Sequence, residues 1–222
     1  PAEVAGIELA PGVVDTLVQD TATPDALPLL AFTLNRLWRA FGRDGTITLD
    51  EYTDRIGGLE GAIGQEADAV LAALKPTPAQ LDDLRRAFRQ MVRIDPEGRY
   101  TRRSVPWQAL PEAVHPLLEA FVKARLLVAG HAQATADRPE ARILEPAHEA
   151  LFRAWERLRR WLDEDRAFLL WRQHVRPEAE AWQAAPGDPG LLLRGGSINE
   201  QTICGIIYDI PDHIDLPLRP DE

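Results

Sequence analysis

His148 is the residue of this sequence whose type and setting could do chemistry. It stands in EPAHEALFRAWERLRRWL, residues 145–162, where apolar residues recur every three or four positions and so predict an amphipathic helix. Its spacing to Leu151 and Trp155 directs the ring toward the apolar face of that helix. An imidazole in such a place can bind a metal, transfer a proton, contact an anion or simply pack in a core.

The remaining histidines do not predict a metal site. They are scattered, without H-x-x-x-H or H-E-x-x-H spacing: His115, His131, His174 and His213. The only cysteine is Cys204, so a cysteine-rich zinc site is not expected either. Two interpretations of His148 stay open, a packed histidine and an anion contact. The positive end of the predicted helix favours a neutral ring that donates a hydrogen bond.

A proline at a second predicted helix start also stands out. The stretch TPDALPLLAFTLNRLWRAFG, residues 23–42, predicts an amphipathic helix, and Pro28 lies just inside its beginning. Helix initiation alone explains a proline in this position, because its missing N–H would have no partner there.

Motifs of self-contained active sites do not occur in this sequence. There is no G-x-x-x-x-G-K-[ST] loop, no Gly-Lys pair and no G-x-S-x-G elbow. The glycine-rich stretch GGLEG, residues 57–61, lacks a lysine and a preceding strand, and it predicts a turn that enters a helix. We therefore expect no catalytic residue and no metal in this chain.

Composition predicts an ordinary globular protein. The 222 residues are 45% hydrophobic and 27% charged, and the net charge of −10 argues against general binding of nucleic acid. No apolar run approaches the roughly 20 residues that cross a bilayer, and the first residues do not have the pattern of a leader, so we expect no membrane partner. With a single cysteine, we expect a reducing, cytoplasmic setting. A start at Pro1 with Met91 as the only methionine predicts a segment of a longer protein.

The chain divides into four regions by pattern, and the predicted fold class is mostly α. Residues 1–75 are acidic and predict a small helical bundle. Residues 77–147 predict helices, a strand and a β-hairpin. Residues 148–194 predict a helical arm, formed by one long helix or two in succession with an interruption near Pro177, and residues 195–222 predict an irregular or extended tail.

The second region has the element order of a winged-helix domain. A helix capped by Thr77 and begun by Pro78 precedes a strand in RYTRRSV. PWQAL and PEAVHPLLEAFVKARLL predict a short and a long helix, and LLVAG with ARILEP predicts a hairpin wing. The long helix balances its acidic and basic residues, whereas a helix that reads the DNA major groove usually carries net positive charge. Nucleic acid is therefore an unfavoured partner.

Four stretches in this order resemble the C-terminal half of the bacterial STAND-class NTPase module, in its novel STAND branch. They are PDALPLLAFTLNRLW, TLDEYTDRIGGLEGAIGQEAD, DPEGRYTRRSVPWQAL and EPAHEALFRAWERLRRWLDEDRAFLLWRQ, and the resemblance covers residues 1 to about 194. It implies a helical lid over residues 1–75, a winged helix over 77–147 and the start of a helical arm.

The resemblance also implies roles for the two residues singled out above. Pro28 matches a lid proline that packs near the adenine, and His148 matches a histidine that reaches the β-phosphate of ADP in the closed state. Ala147 and Glu149 stand where the family motif has methionine and aspartate.

The implied whole is a signalling ATPase switch that opens and oligomerises when ATP replaces ADP. Its P-loop, Mg²⁺-binding acid and arginine sensors would lie in a preceding core, so this chain is expected neither to bind ADP or ATP nor to hydrolyse ATP alone. Sensor repeats such as WD repeats and an effector domain are further expected partners. A DNA-binding winged-helix regulator and an interaction scaffold without a nucleotide role are the alternatives.

Overall fold

The computed structural model describes residues 6–21, 26–132 and 141–174, and it is mostly α-helical with small sheets, as predicted. The helices are α1 (Val13–Asp20), α2 (Leu27–Phe41), α3 (Gly58–Leu74), α4 (Pro78–Gln90), α5 (His115–Lys123), α6 (Ala150–Ala154), α7 (Glu156–Glu164) and α8 (166–174). The strands are β1 (Glu8–Leu9), β2 (Thr46–Ile47), β3 (Val92–Ile94), β4 (Tyr100–Arg102), β5 (Val105–Pro106), β6 (Leu127–Ala132) and β7 (Ala141–Pro146).

The helices predicted before residue 75 are confirmed, and α2 packs against α3. Leu29 and Leu37 face this interface, and the fully buried Thr33 between them donates its hydroxyl to the carbonyl of Leu59 at 3.5 Å. The glycine-rich turn is the entry to α3, since Gly57 adopts a left-handed φ of 76° immediately before the helix. A short parallel pairing of β1 with β2 was not predicted from the sequence.

The start of α4 follows its sequence closely. The Thr77 hydroxyl accepts the Gln80 amide while the Gln80 side chain accepts the Thr77 amide, which forms the reciprocal capping box. Downstream, the structure is more finely divided than predicted. RYTRRSV forms β4 and β5 instead of one strand, β3 was not predicted, and α5 is preceded by two single turns of 3₁₀ helix.

The predicted hairpin is present and belongs to a three-stranded antiparallel sheet in the order β5–β7–β6. Its register pairs Leu127 with Pro146 at one end and Ala132 with Ala141 at the other. Strand β5 adds to the free side of β7, where Val105 pairs with Leu144. The turn that follows β7 leads directly to His148, so this sheet sets where that residue lies.

The arm is broken at positions that the helical periodicity did not predict. Trp155 separates α6 from α7 with an extended backbone, φ −90° and ψ 101°, and Asp165 separates α7 from α8. The expected single or double helix therefore comprises three helices up to residue 174. The predicted interruption near Pro177, the end of the arm and the tail over 195–222 lie outside the described residues.

Trp155 lies at the centre of one buried cluster that draws on every part of the described chain. Its fully buried ring contacts Phe88 of α4 and Phe121 of α5, with centroids 5.6 and 5.4 Å away. Its indole N–H donates to Asp68 of α3 at 2.8 Å. The division of the chain into separate lid, winged-helix and arm units stays a prediction, but their helices share this core.

Helix α8 is fixed to β3 by polar side chains. The Gln173 amide accepts the backbone N–H of Ile94 at 2.7 Å and donates to the carbonyl of Ile94 at 2.8 Å. Arg172 donates to the carbonyl of Val92 at 3.2 Å, and Arg166 donates to that of Gly98. Within the described ranges, no helix has the length and apolar character needed to span a bilayer.

Candidate functional site

Pro28 and His148, far apart in sequence, line the same small cavity. It has a volume of about 50 Å³ and is also lined by Leu29, Phe32 and Leu151. Pro28 lies in the first turn of α2, as predicted, and is solvent exposed. His148 is half-buried at the junction of α2 with the turn after β7. The structure thus brings the two candidate residues together, while their contact with a ligand stays a prediction.

The sequence predicts that His148 lies in the first turn of a helix. In the structure it lies two residues before α6, so this prediction is wrong. Because α6 begins at Ala150 and has only five residues, a helix dipole contributes little at the ring. The local hydrogen bond has the larger effect. The Ala150 amide donates to His148 Nδ1 at 3.0 Å, so Nδ1 carries no proton and a neutral ring carries its proton on Nε2.

The residues on either side of His148 hold its backbone in place. The Ala147 amide donates to the carbonyl of Leu126 at 3.0 Å, which ties the turn to the residue directly before β6. On the other side, Glu149 Oε1 accepts the backbone amide of Arg102 on β4 at 3.2 Å. Ala147 and Glu149 therefore position the histidine between β6 and β4.

A larger cavity, about 400 Å³ in volume, adjoins the small one at Leu29 and His148. Its polar side chains are Asp20 from α1, Glu60 from α3, His148 and Arg153 from α6. Its apolar wall consists of the buried residues Ala26, Leu29 and Leu59. Helices from both sides of the α3–α6 interface therefore line one cavity that holds two carboxylates, an imidazole and a guanidinium group.

Arg153 and Glu60 form an ion pair across the α3–α6 interface, with Nε and Oε1 2.5 Å apart. Both side chains are more than half exposed, at 57% and 51%. Exposed pairs of this kind contribute little stability, about 0–1 kcal/mol. The pair is thus better suited to holding the two charges in place beside the cavity than to holding the fold together.

Asp20 is oriented by a buried tyrosine. Tyr52 is fully buried, and its hydroxyl donates to Asp20 Oδ2. Burial raises the pKa of Tyr52 well above its usual value, and the hydrogen bond to Asp20 and the negative charge of that carboxylate raise it further. The phenol therefore remains a neutral donor throughout the physiological pH range.

We expect Tyr52 to make the folded chain sensitive to alkaline pH. Tyrosine titrates near pH 10 in an unfolded chain, and the folded pKa of Tyr52 is higher. Its contribution to stability is complete below about pH 10 and is lost as pH rises through the folded pKa, because the unfolded chain releases the proton first. Melting temperatures measured from about pH 8 to 11 should fall less steeply for Tyr52→Phe than for the parent chain. Parallel curves would contradict this assignment.

Sequence reasoning missed Asp20, Tyr52, Glu60 and Arg153 as site residues. Arg153 lies in the same stretch as His148, and Tyr52 and Glu60 lie in another stretch that resembles the family, but no pattern in either stretch pointed to these side chains. Its partner Glu60 is 93 positions away, and only the packing of α3 on α6 brings the two together. In the described ranges, no group of three His, Cys, Asp or Glu side chains is placed to hold a metal ion.

A comparison with models of protein families shows the family of this chain. The family model described as Novel STAND NTPase 1 matches residues 1–190. The chain belongs to this family. No curated protein and no solved structure gave a significant match. The novel STAND NTPase 1 match includes all of α1 to α8 and both cavities, so the site described above lies entirely within the family region.

Proposed function

We propose that this chain is the regulatory lid and winged-helix segment of a STAND ATPase switch, in which Pro28 and His148 contact the bound nucleotide. The observation that carries the proposal is their placement: Pro28 at the start of α2 and His148 before α6 line one cavity, and His148 also lines the larger cavity. In this proposal residues 1–75 act as the lid, and residues 77–147, with the β5–β7–β6 sheet, act as the winged helix.

The cavity residues fit a nucleoside diphosphate. Small-molecule sites occupy about 300–1,000 Å³ and combine apolar walls with a few polar groups, and the larger cavity has about 400 Å³. Leu29 and Leu59 offer apolar surface to a base or a sugar. The tautomer of His148 places a donor at Nε2, which suits a phosphate oxygen.

The way His148 is mounted supports a role in switching. The turn that contains His148 is hydrogen-bonded to β4 through Glu149 and to the residue before β6 through Ala147, so a displacement of the ring would also displace these two strands. We propose that ADP keeps this segment closed on the nucleotide-binding core and that exchange for ATP releases it for oligomerisation.

Recognition of duplex DNA is less well supported by the charges of α5. Glu119 on this helix lies 3.9 Å from the guanidinium group of Arg142 on β7, and Lys123 is the only Lys or Arg within α5. A helix that docks against phosphates needs a net positive surface. The nucleotide-sensing proposal is the one we retain.

The test uses the longer protein in which this chain follows its NTPase core. Replacing His148 by alanine should lower the affinity for ADP about tenfold, since it removes one hydrogen bond to a charged group. Isothermal titration calorimetry measures the change, and gel filtration with ATP should show oligomers at lower nucleotide concentration. His174→Ala, an exposed histidine on α8 outside both cavities, is the matched control. Equal ADP affinity in the two variants would refute the sensor role.

A further inference from the structure

We infer that Asp20 recognises the sugar hydroxyls of the nucleotide and that Tyr52 positions it for this contact. The inference rests on the proposed function, because it assumes that a nucleotide occupies the larger cavity. The inference adds a specificity-determining residue on α1, whereas Pro28 lies on α2 and His148 lies before α6.

The two carboxylates of the larger cavity differ in their partners. Glu60 is paired with the cationic side chain of Arg153, at 2.5 Å, which offsets its charge. Asp20 is held instead by the neutral hydroxyl of Tyr52, which does not offset its charge. The two groups therefore present different chemistry to a ligand, and Asp20 is the stronger acceptor of hydrogen bonds.

The negative charge of Asp20 excludes a phosphate as its contact. Two anions side by side repel, whereas the hydroxyl groups of a ribose are donors that a carboxylate binds well. Tyr52 occupies Oδ2, and the carboxylate keeps acceptor capacity on Oδ1 for an incoming hydroxyl. The same pairing of carboxylate with ribose hydroxyl is used by dinucleotide-binding folds.

The surroundings of Asp20 also suit a sugar. The apolar residues Ala26 and Leu29 line the same cavity, so the part of their side chains that reaches it can contact the carbon face of a ribose. Gly58, at the start of α3, brings its backbone close. A Cβ there would lie 3.6 Å from Asp20 Oδ2 and 3.8 Å from the Tyr52 hydroxyl, and its φ of +70° favours glycine. The exposed carboxylate of Asp20 therefore lies at the edge of the cavity, next to the start of α3.

Tyr52 acts on the ligand through Asp20. A phenol hydroxyl inside the protein fixes the rotamer of the carboxylate before the ligand arrives, which lowers the entropy lost on binding. Replacement by phenylalanine keeps the buried ring and removes the hydroxyl, with its hydrogen bonds to Asp20 and to the backbone of Leu59. We therefore expect Tyr52→Phe to weaken sugar discrimination without abolishing nucleotide binding.

The experiment compares ADP with 2′-deoxy-ADP and 3′-deoxy-ADP in the longer protein that contains the NTPase core. We expect the parent protein to bind ADP about tenfold more tightly than the deoxy analogue that lacks the contacted hydroxyl. Asp20→Asn should reduce this ratio to near one, and Tyr52→Phe should reduce it in part. Asp15→Asn is the matched control, since Asp15 is an exposed carboxylate on the same helix that does not line the cavity.

Each outcome has a distinct meaning. If Asp20→Asn leaves the ratios unchanged, or weakens all three nucleotides equally, Asp20 does not read the sugar. A Mg²⁺-dependent loss that is equal for the three nucleotides would assign Asp20 to the metal and overturn the inference. If His148→Ala lowers ADP affinity while the Asp20→Asn ratios are unchanged, the proposed function stands and this inference alone fails.

Discussion

Replacing Trp155 by alanine should lower the free energy of unfolding by about 3–5 kcal/mol, the usual cost of deleting a large buried aromatic side chain. The ring is fully buried, and it contacts Phe88, Phe121 and Trp161 at centroid distances below 6 Å. Alanine would leave a cavity among α4, α5 and α7, which could close only by moving all of these helices. The free energy of unfolding of a globular domain is only about 5–15 kcal/mol, so this single change would remove a large part of it.

Urea unfolding followed by circular dichroism measures this loss in the full chain. Trp38→Ala is the matched control, because Trp38 on α2 is 52% exposed, and it should change stability by about 0.5 kcal/mol or less. Trp155→Phe should cost less than alanine, since it keeps an aromatic ring and loses only bulk and the hydrogen bond to Asp68. Similar losses for Trp155→Ala and Trp38→Ala would show that Trp155 does not organise the core.

Gly64→Ala should destabilise the chain by about 1–3 kcal/mol, although alanine is the better helix former by about 1 kcal/mol. A Cβ at Gly64 of α3 would lie 2.5 Å from the carbonyl oxygen of Ala154 and 3.6 Å from the Cα of Trp155. These are backbone atoms, so no side chain can rotate to make room and α3 must move away from α6. The separation would also disturb the Glu60–Arg153 ion pair at the larger cavity.

The measurement for Gly64 is again urea unfolding, with Gly130→Ala as the control. A Cβ at Gly130 on β6 would lie 3.6 Å from a side-chain carbon of Ile143, an ordinary contact, so this variant should be nearly neutral. In the longer protein, Gly64→Ala should also weaken ADP binding, because His148 and Arg153 flank the displaced helix. A Gly64→Ala chain as stable as Gly130→Ala would contradict close packing of α3 on α6.

The helices could be predicted from the sequence because their signals are local. The apolar periodicity of α2 and the Thr77–Pro78 start of α4 depend on neighbours within a few residues. The paired strands β1 and β2 have two residues each, too short for any alternation to be recognised. The break at Trp155 follows from tertiary packing, since its extended backbone allows the ring to enter a core formed by distant helices.

The candidate site also combines residues with a local sequence signal and residues that only tertiary packing brings together. Family resemblance in short stretches pointed to Pro28 and His148, and the structure places both at one cavity. Asp20 and Tyr52 are separated by 32 positions. Tyr52 lies in one of the stretches that resemble the family, but that resemblance implies no role for it, and Asp20 lies in none of the four. Their contact arises only when α1 and the turn before α3 pack together, so a reading of one sequence could not find it.

The side-chain amide of Gln173 has a consequence for the behaviour of the chain in concentrated solution. It forms with Ile94 the same two hydrogen bonds that a neighbouring β-strand would form, on the side of β3 that faces away from β4. Exposed strand edges are where proteins pair with other copies and aggregate. Helix α8 therefore protects an open sheet edge, and Gln173→Ala would leave β3 as a template for intermolecular strand addition.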